Sequence, residues 1–291
     1  MSDDMNTEPE RDGWSTVIQP TESLFHVDFK EIWRYRDLAA MLIKRDIITY
    51  YKQTILGPLW FFIQPILTTI MFMVVFGGIA KIPTDGIPQP LFYLAGTTLW
   101  QYFADCLNRT SSTFIANAGV FGKVYFPRLV VPIASVISNL TRFAIHLLLF
   151  AAVYLYYLIF TEAAVAPGPF FALVPFLIIL IAALALGFGI LFSSFTTKYR
   201  DLNFLLGFFV QLWMYATPVI YPLSTITDNR LRLLMSINPM TGIMEAYKYA
   251  VLGSGSFSWC ALGYSTAFAL VLLAVGIVIF NRVQRSFIDT V

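Results

Sequence analysis

Phe170-Phe-Ala-Leu-Val-Pro-Phe-Leu-Ile-Ile-Leu-Ile-Ala-Ala-Leu-Ala-Leu-Gly-Phe-Gly-Ile-Leu-Phe-Ser-Ser-Phe195 is a run of 26 residues without Asp, Glu, Lys or Arg. About 20 mostly apolar residues carry a helix across a hydrocarbon core, so this run reads as a membrane span. Pro167-Gly168-Pro169 breaks the chain before it. Upstream, residues 129–160 form a longer apolar run, about 48 Å as a helix. Such a helix must tilt, kink near Pro132 or project beyond one face. Further spans read at 55–80, 90–115, 202–220 and 259–280. The one at 90–115 is the least hydrophobic and carries Gln101, Asp105, Asn108 and Arg109. The expected fold is an all-α integral membrane protein with six transmembrane helices.

Composition agrees. The chain is 58% hydrophobic and 12% charged, against about 25% charged in a soluble domain, and its mean hydropathy is +0.71. The 19 Lys+Arg nearly cancel the 17 Asp+Glu, which leaves no basic field for nucleic acid. Two cysteines and two histidines make neither a disulfide framework nor a metal cluster.

Basic residues set the orientation. With the N-terminus inside, thirteen fall on cytoplasmic segments and four (Lys81, Arg230, Arg232, Lys248) outside. Both termini are therefore expected in the cytoplasm. Residues 1–23 read as a flexible cytoplasmic tail without the basic start and apolar core of a secretory signal. Residues 24–46, with Phe29, Trp33 and Arg36, read as an amphipathic interface helix. Asp28 followed by Glu31 resembles a capping box at its start. Residues 47–291 then hold the six spans.

The segment Asn117-Ala-Gly-Val-Phe-Gly-Lys-Val-Tyr-Phe-Pro-Arg128 joins the second and third spans on the cytoplasmic side. Its Val120, Phe121, Val124, Tyr125 and Phe126 are too apolar for a solvated loop, so a short helix here meets either another protein or lipid. On the outer side, residues 221–258 mix short apolar pieces with prolines, Glu245 and Lys248. Irregular backbone at membrane depth needs protein or a water-filled cavity around it, so short re-entrant helices are expected to border or cap the pathway.

Asp105, Arg109, Arg142 and His146 lie inside spans, where charges are paired or functional. Asp105 and Arg109 are four apart and are expected to neutralise each other; Arg142 and His146 share the same spacing on the third span. Trp100, Tyr102, Gln211, Trp213 and Tyr215 put aromatic rings beside polar groups. They read either as interfacial belt or as a lining along which a glycan slides. No phosphate-binding loop, nucleophile elbow or zinc-protease motif is present. A pump must therefore borrow its energy. An ion-coupled carrier using Asp105 and His146 stays a competing reading, and a membrane enzyme a weaker one.

Arg45-Asp46, Tyr51-Lys-Gln-Thr-Ile-Leu-Gly-Pro-Leu-Trp60, Gln64-Pro65, Lys123-Val-Tyr-Phe-Pro-Arg128 and Asn238-Pro-Met-Thr-Gly242 with Glu245 and Leu252-Gly253 together resemble the ABC-2 type permeases that export polysaccharides. The resemblance implies a transport subunit, not an enzyme, for lipid-linked polysaccharide such as O antigen, capsule or teichoic acid. It implies a homodimer in the bacterial cytoplasmic membrane with two copies of a separate ATP-binding subunit, which carries the ATP and Mg; no cofactor or metal belongs to this chain. It places an interface helix at 28–44, outer gate helices at 222–252 and an ATPase-coupling helix at 117–128, with Asn117, Val120, Phe121, Lys123, Tyr125 and Arg128. An exporter of small amphiphiles or drugs would share this layout.

Overall fold

A computed structural model describes residues 29–52, 57–121, 124, 126–161, 166–199 and 201–288. Among these, every regular element is a helix. In order they are α1 (Phe29–Arg34), α2 (Arg36–Lys52), α3 (Trp60–Phe72, continued by a π-helical Met73–Ile79), α4 (Gln89–Ser111) and α5 (Thr113–Phe121). There follow α6 (Val130–Phe160), α7 (Val174–Lys198), α8 (Leu202–Tyr215), α9 (Asn229–Ile237), α10 (Pro239–Leu252) and α11 (Trp259–Ile288). The expected tail at 1–23 and the capping Asp28 lie outside the described residues.

Among the described residues, four helical stretches are long and apolar enough to cross a membrane: Trp60–Ile79, Val130–Phe160, Phe171–Lys198 and Trp259–Gln284. The chain is a multi-pass membrane protein. α6 runs unbroken for 31 residues. Its Pro132 falls in the first turn, where no intrahelical N–H bond is lost, so the kink entertained for this run does not form.

The other two expected spans are built differently. α8 stops at Tyr215 after 14 residues, and Thr217–Ile220 continues as buried, non-helical chain. α4 has the length of a span, at 23 residues, but it lies inside the molecule against α3, α6, α7, α8 and α10. Leu91–Trp100 is buried throughout. A helix sheathed by protein needs no lipid-compatible surface, which is why its sequence is the most polar of the set.

Between lipid-embedded helices the attraction comes from close packing, so small residues sit at the crossings. α7 is gripped by α4 on one side and α11 on the other. A Cβ on Gly189 would fall on the Thr110 hydroxyl, and one on Gly276 would stand 3.0 Å from the Gly187 carbonyl oxygen. Both contacts need glycine.

A main core spreads along α4, α6, α7 and α10. A second, smaller core gathers Phe114, Phe121, Phe126, Val130, Val131, Ile190 and Phe280. Ile32, Tyr35, Leu38, Ala39 and Leu42 pack against this second core, so the helical segment expected at 24–46 docks an apolar side on its own chain. It also continues past residue 46, to Lys52.

Candidate functional site

Gln101, Asp105, Asn108, Arg109 and Ser112 keep surface open while the residues between them are mostly buried. Steps of three and four put them on one face of α4, and this polar stripe runs toward the helix's C-terminal end. Two ion-pair centres tie the stripe to its neighbours. Asp46 of α2 accepts bonds at Oδ1 from Arg45 Nε and Nη2 (3.2 and 3.1 Å) and at Oδ2 from Arg109 Nη2 (3.0 Å). Ser138 of α6 donates to the same Oδ2 at 3.5 Å. Further along, Asp105 accepts from Arg142 Nη1 of α6 (2.7 Å) and from Gln101 Nε2 (3.0 Å). The Arg142 guanidinium also lies over the Phe61 ring of α3, 5.2 Å from its centroid.

The pairing expected from spacing is thereby corrected. Asp105 closes on Arg142 of another helix, and Arg109 on Asp46. Pairs within one helix stabilise by only about 0.2–0.5 kcal/mol; bridging two helices also satisfies the carboxylate away from water. His146 is buried beside a cavity of about 30 Å³ lined by Gln64, Pro65, Thr68, Thr97, Thr98 and Gln101. That is room for one or two waters, and the Thr98 hydroxyl has no protein partner there. Sequence reading named Arg45-Asp46 within the ABC-2 resemblance and missed Asp46 as the centre of the network. Gln64 and Thr98 were missed as cavity walls.

The aromatic and polar candidates divide. Trp100 and Tyr102 are buried, Trp100 edge-on to Trp213 at 6.2 Å and Tyr102 against Phe143 at 5.0 Å. Trp213 also meets Phe103 and Phe188. These three rings knit α4, α6, α7 and α8 together. Gln211 and Tyr215 are exposed on the outer face of α8, beside Phe208 and Leu212.

In the segment between α4 and α6, Phe121 proves to be an internal residue, which corrects its expected outward role. It is 6% exposed, packs on Phe114 (5.9 Å) and Phe126 (5.6 Å), and lies under the Arg128 guanidinium at 5.3 Å. Arg128 is itself buried and donates from Nη1 to the Gln284 carbonyl at 3.1 Å. Asn117 breaks the α5 geometry (φ −117, ψ 16), and its Nδ2 donates to the Thr113 carbonyl. Val120 and Val124 are left exposed. Lys123 and Tyr125 lie outside the described residues. In the interface helix, Trp33 and Arg36 point outward, with Trp33 70% exposed; the side chain of Phe29 is outside the described set.

α9 is mostly exposed and α10 mostly buried. Asn238 caps α10 by accepting from the Met240 N–H at 3.0 Å. Gly253 ends it in the left-handed region (φ +71), where a Cβ would run into the Ala166 carbonyl oxygen. Lys248 is buried, donates to the carbonyls of Pro218 (2.6 Å) and Val219 (3.2 Å), and sits 3.8 Å from the Phe92 ring centroid. Burial lowers its ammonium pKa to about 7, while Glu245 and Asp85 pull it back up. The Glu245 carboxylate accepts from the Ser256 N–H and hydroxyl. Among the described residues no group of His, Cys, Asp or Glu is placed to hold a metal ion.

Residues 38–252 match the ABC-2 type transporter family. The chain belongs to that family. As an ABC-2 protein it is similar to the O-antigen export system permease protein RfbA of Myxococcus xanthus, with 28% identity over 221 residues, 75% of this chain and 82% of the relative. It is 26% identical over 255 residues to an RfbA of Klebsiella pneumoniae, covering 87% of this chain and 94% of that one. It is also 25% identical to the polysialic acid transport protein KpsM of Escherichia coli over 254 residues, 86% of this chain and 94% of KpsM. The ABC-2 match encloses the Asp46 and Asp105 ion pairs, the hairpin and α10.

Proposed function

We propose that this chain is the membrane-spanning permease subunit of an ATP-driven exporter that moves lipid-linked polysaccharide, of the O-antigen, capsule or teichoic acid type, out of the bacterial cytoplasm. The observation that carries the reading is its similarity, along most of its length, to ABC-2 proteins named for O-antigen export and polysialic acid transport. In this reading α4 and α8 with its buried 217–220 continuation complete a six-span unit in the cytoplasmic membrane, with both termini inside.

ABC-2 permeases work with ATP-binding subunits. Two copies of such a subunit would hold ATP and Mg and dock under two copies of this chain. Val120 and Val124, left open by the hairpin, supply apolar contact, while Phe121 and Arg128 hold the hairpin rigidly to the spans. Nucleotide binding then biases the spacing of the cassettes and shifts the permease between closed and open populations. A two-fold axis puts the path between the permeases. The polar stripe of α4 and the exposed Gln211 and Tyr215 are the side chains available to line it, and α9 and α10 close its outer end.

Deletion of the gene tests the reading. Loss of surface polysaccharide with intracellular build-up of the lipid-linked polymer is the expected outcome. Normal surface polysaccharide together with new sensitivity to small amphiphiles would contradict it.

A further inference from the structure

Thr98 of α4 is 2% exposed, and its hydroxyl lines the cavity between α3, α4 and α6 without a partner. A buried hydroxyl left in that state is costly unless something from outside the chain meets it. Other groups around the cavity are equally unused. Among the described residues, the side chains of Gln64 and Thr68 on α3 and of His146 on α6, which line the same space, make no hydrogen bond. Gln101 commits Nε2 to Asp105 at 3.0 Å, which leaves its Oε1 as an acceptor.

Depth and exposure narrow what meets these groups. His146 falls at the middle of α6, and Gln64 and Thr68 belong to the membrane-length stretch Trp60–Ile79. Gln64 is nevertheless exposed. Hydrocarbon offers an amide no hydrogen bond, so the open side of the cavity meets water or a polar cargo. Apart from His146 the groups carry no charge, and hydroxyls and amides both donate and accept; that set matches a hydroxyl better than an ion. The volume of about 30 Å³ admits a group of that size. Pro65 also lines the space, and the threonines bring methyl groups, so C–H surface stands beside the polar atoms. A sugar carries the same alternation of C–H and O–H, and water does not.

We propose that Thr98, His146, Gln64 and Thr68, with the Gln101 carbonyl oxygen, form a subsite that takes one hydroxyl or hydroxymethyl group of the sugar chain in transit. The subsite deepens the export reading and rests on it for the nature of the cargo. Water offers the same hydroxyl chemistry, and the test separates the two sources.

The test uses the full chain in phosphatidylcholine nanodiscs. The probes are the radiolabelled oligosaccharide cut from the surface polysaccharide of the same cell and its fully O-methylated form, and equilibrium dialysis reads their affinities. The unaltered chain is expected to bind the native probe more tightly than the methylated one. Thr98→Val should weaken native binding about 5-fold, the worth of one hydrogen bond, and leave binding of the methylated probe unchanged. Thr98→Ser, which keeps the hydroxyl, should bind as the unaltered chain does. Gln64→Leu, at an exposed position, should show the same selective loss and does not depend on Thr98→Val folding. Equal affinity of the unaltered chain for both probes, or no measurable binding of the native one, leaves the cavity to water and overturns the proposal. A loss of equal size for both probes in Thr98→Val marks a structural role and overturns it too. Hydroxyl-dependent binding in a chain whose deletion spares surface polysaccharide would sink the export reading and leave this subsite standing.

Discussion

Phe114 of α5 lies stacked on Phe280 of α11, ring centroids 4.6 Å apart and planes at 28°. The segment between α4 and α6 is thus fastened to α11, and Phe121, edge-on to Phe114, extends the same aromatic block. A displacement of α5 has to move α11 or break this stack.

Phe121→Ala should therefore act on stability. Emptying a buried phenylalanine site costs about 3–5 kcal/mol, read as a lowered thermal midpoint in detergent. Val120→Asp, at an exposed position, should leave that midpoint within the error of a surface change, about 0.5 kcal/mol. It should nevertheless lower capture of the ATP-binding subunit in a pull-down. Undiminished capture by Val120→Asp would remove the hairpin's exposed face from the coupling account.

Asp46→Ala leaves two guanidiniums without their shared carboxylate. For fully buried pairs the loss is about 3–5 kcal/mol; with both arginines partly open, about 2 kcal/mol is expected. Adding Arg109→Leu should recover part of the loss. Equal midpoints for Asp46→Ala and the unaltered chain would show that the α2–α4 link contributes nothing.

Gly189→Val drives a branched side chain into Thr110, and no rotamer of the valine avoids a Cβ in that position. Overpacking typically costs about 1–3 kcal/mol, and here the α4–α7 crossing must open. The expected result is loss of monodisperse protein on gel filtration. Thr110→Ala in the same chain should restore some of it.

Lys248 gives a pH dependence with a definite sign. Its folded-state pKa of about 7 lies below the ordinary 10.5, so between those values the unfolded chain binds the extra proton. Stability then rises with pH across that window, and the gain is lost as pH falls toward 7. A neutral amine still has two N–H donors for the Pro218 and Val219 carbonyls. Thermal midpoints at pH 7 and pH 9.5 should show the rise in the unaltered chain and a flatter profile in Lys248→Met. Identical slopes would contradict the assignment.

Much of this architecture was legible from residue order. The long apolar runs became α3, α6, α7 and α11 because lipid exposure demands an apolar surface, which hydropathy reads directly. α4 was the hardest element, since hydropathy cannot distinguish a helix wrapped in protein from one that fails to insert. Asp105 and Arg109 could be named from the sequence, yet their partners were hidden: spacing reports neighbours on one helix and says nothing of α2 or α6. Phe121 was misjudged for a related reason. An aromatic residue at the end of a short helix needs a cover, and only the fold shows that Phe114, Phe126 and Arg128 provide it. The same holds for Lys248, whose burial depends on chain that returns from α8.

The most direct measurement is uptake of radiolabelled lipid-linked polysaccharide into inside-out vesicles containing this chain, with and without an ABC ATP-binding subunit. Uptake that requires both the subunit and hydrolysable ATP is the predicted result. Uptake by the chain alone under a proton gradient, without ATP, would contradict the account.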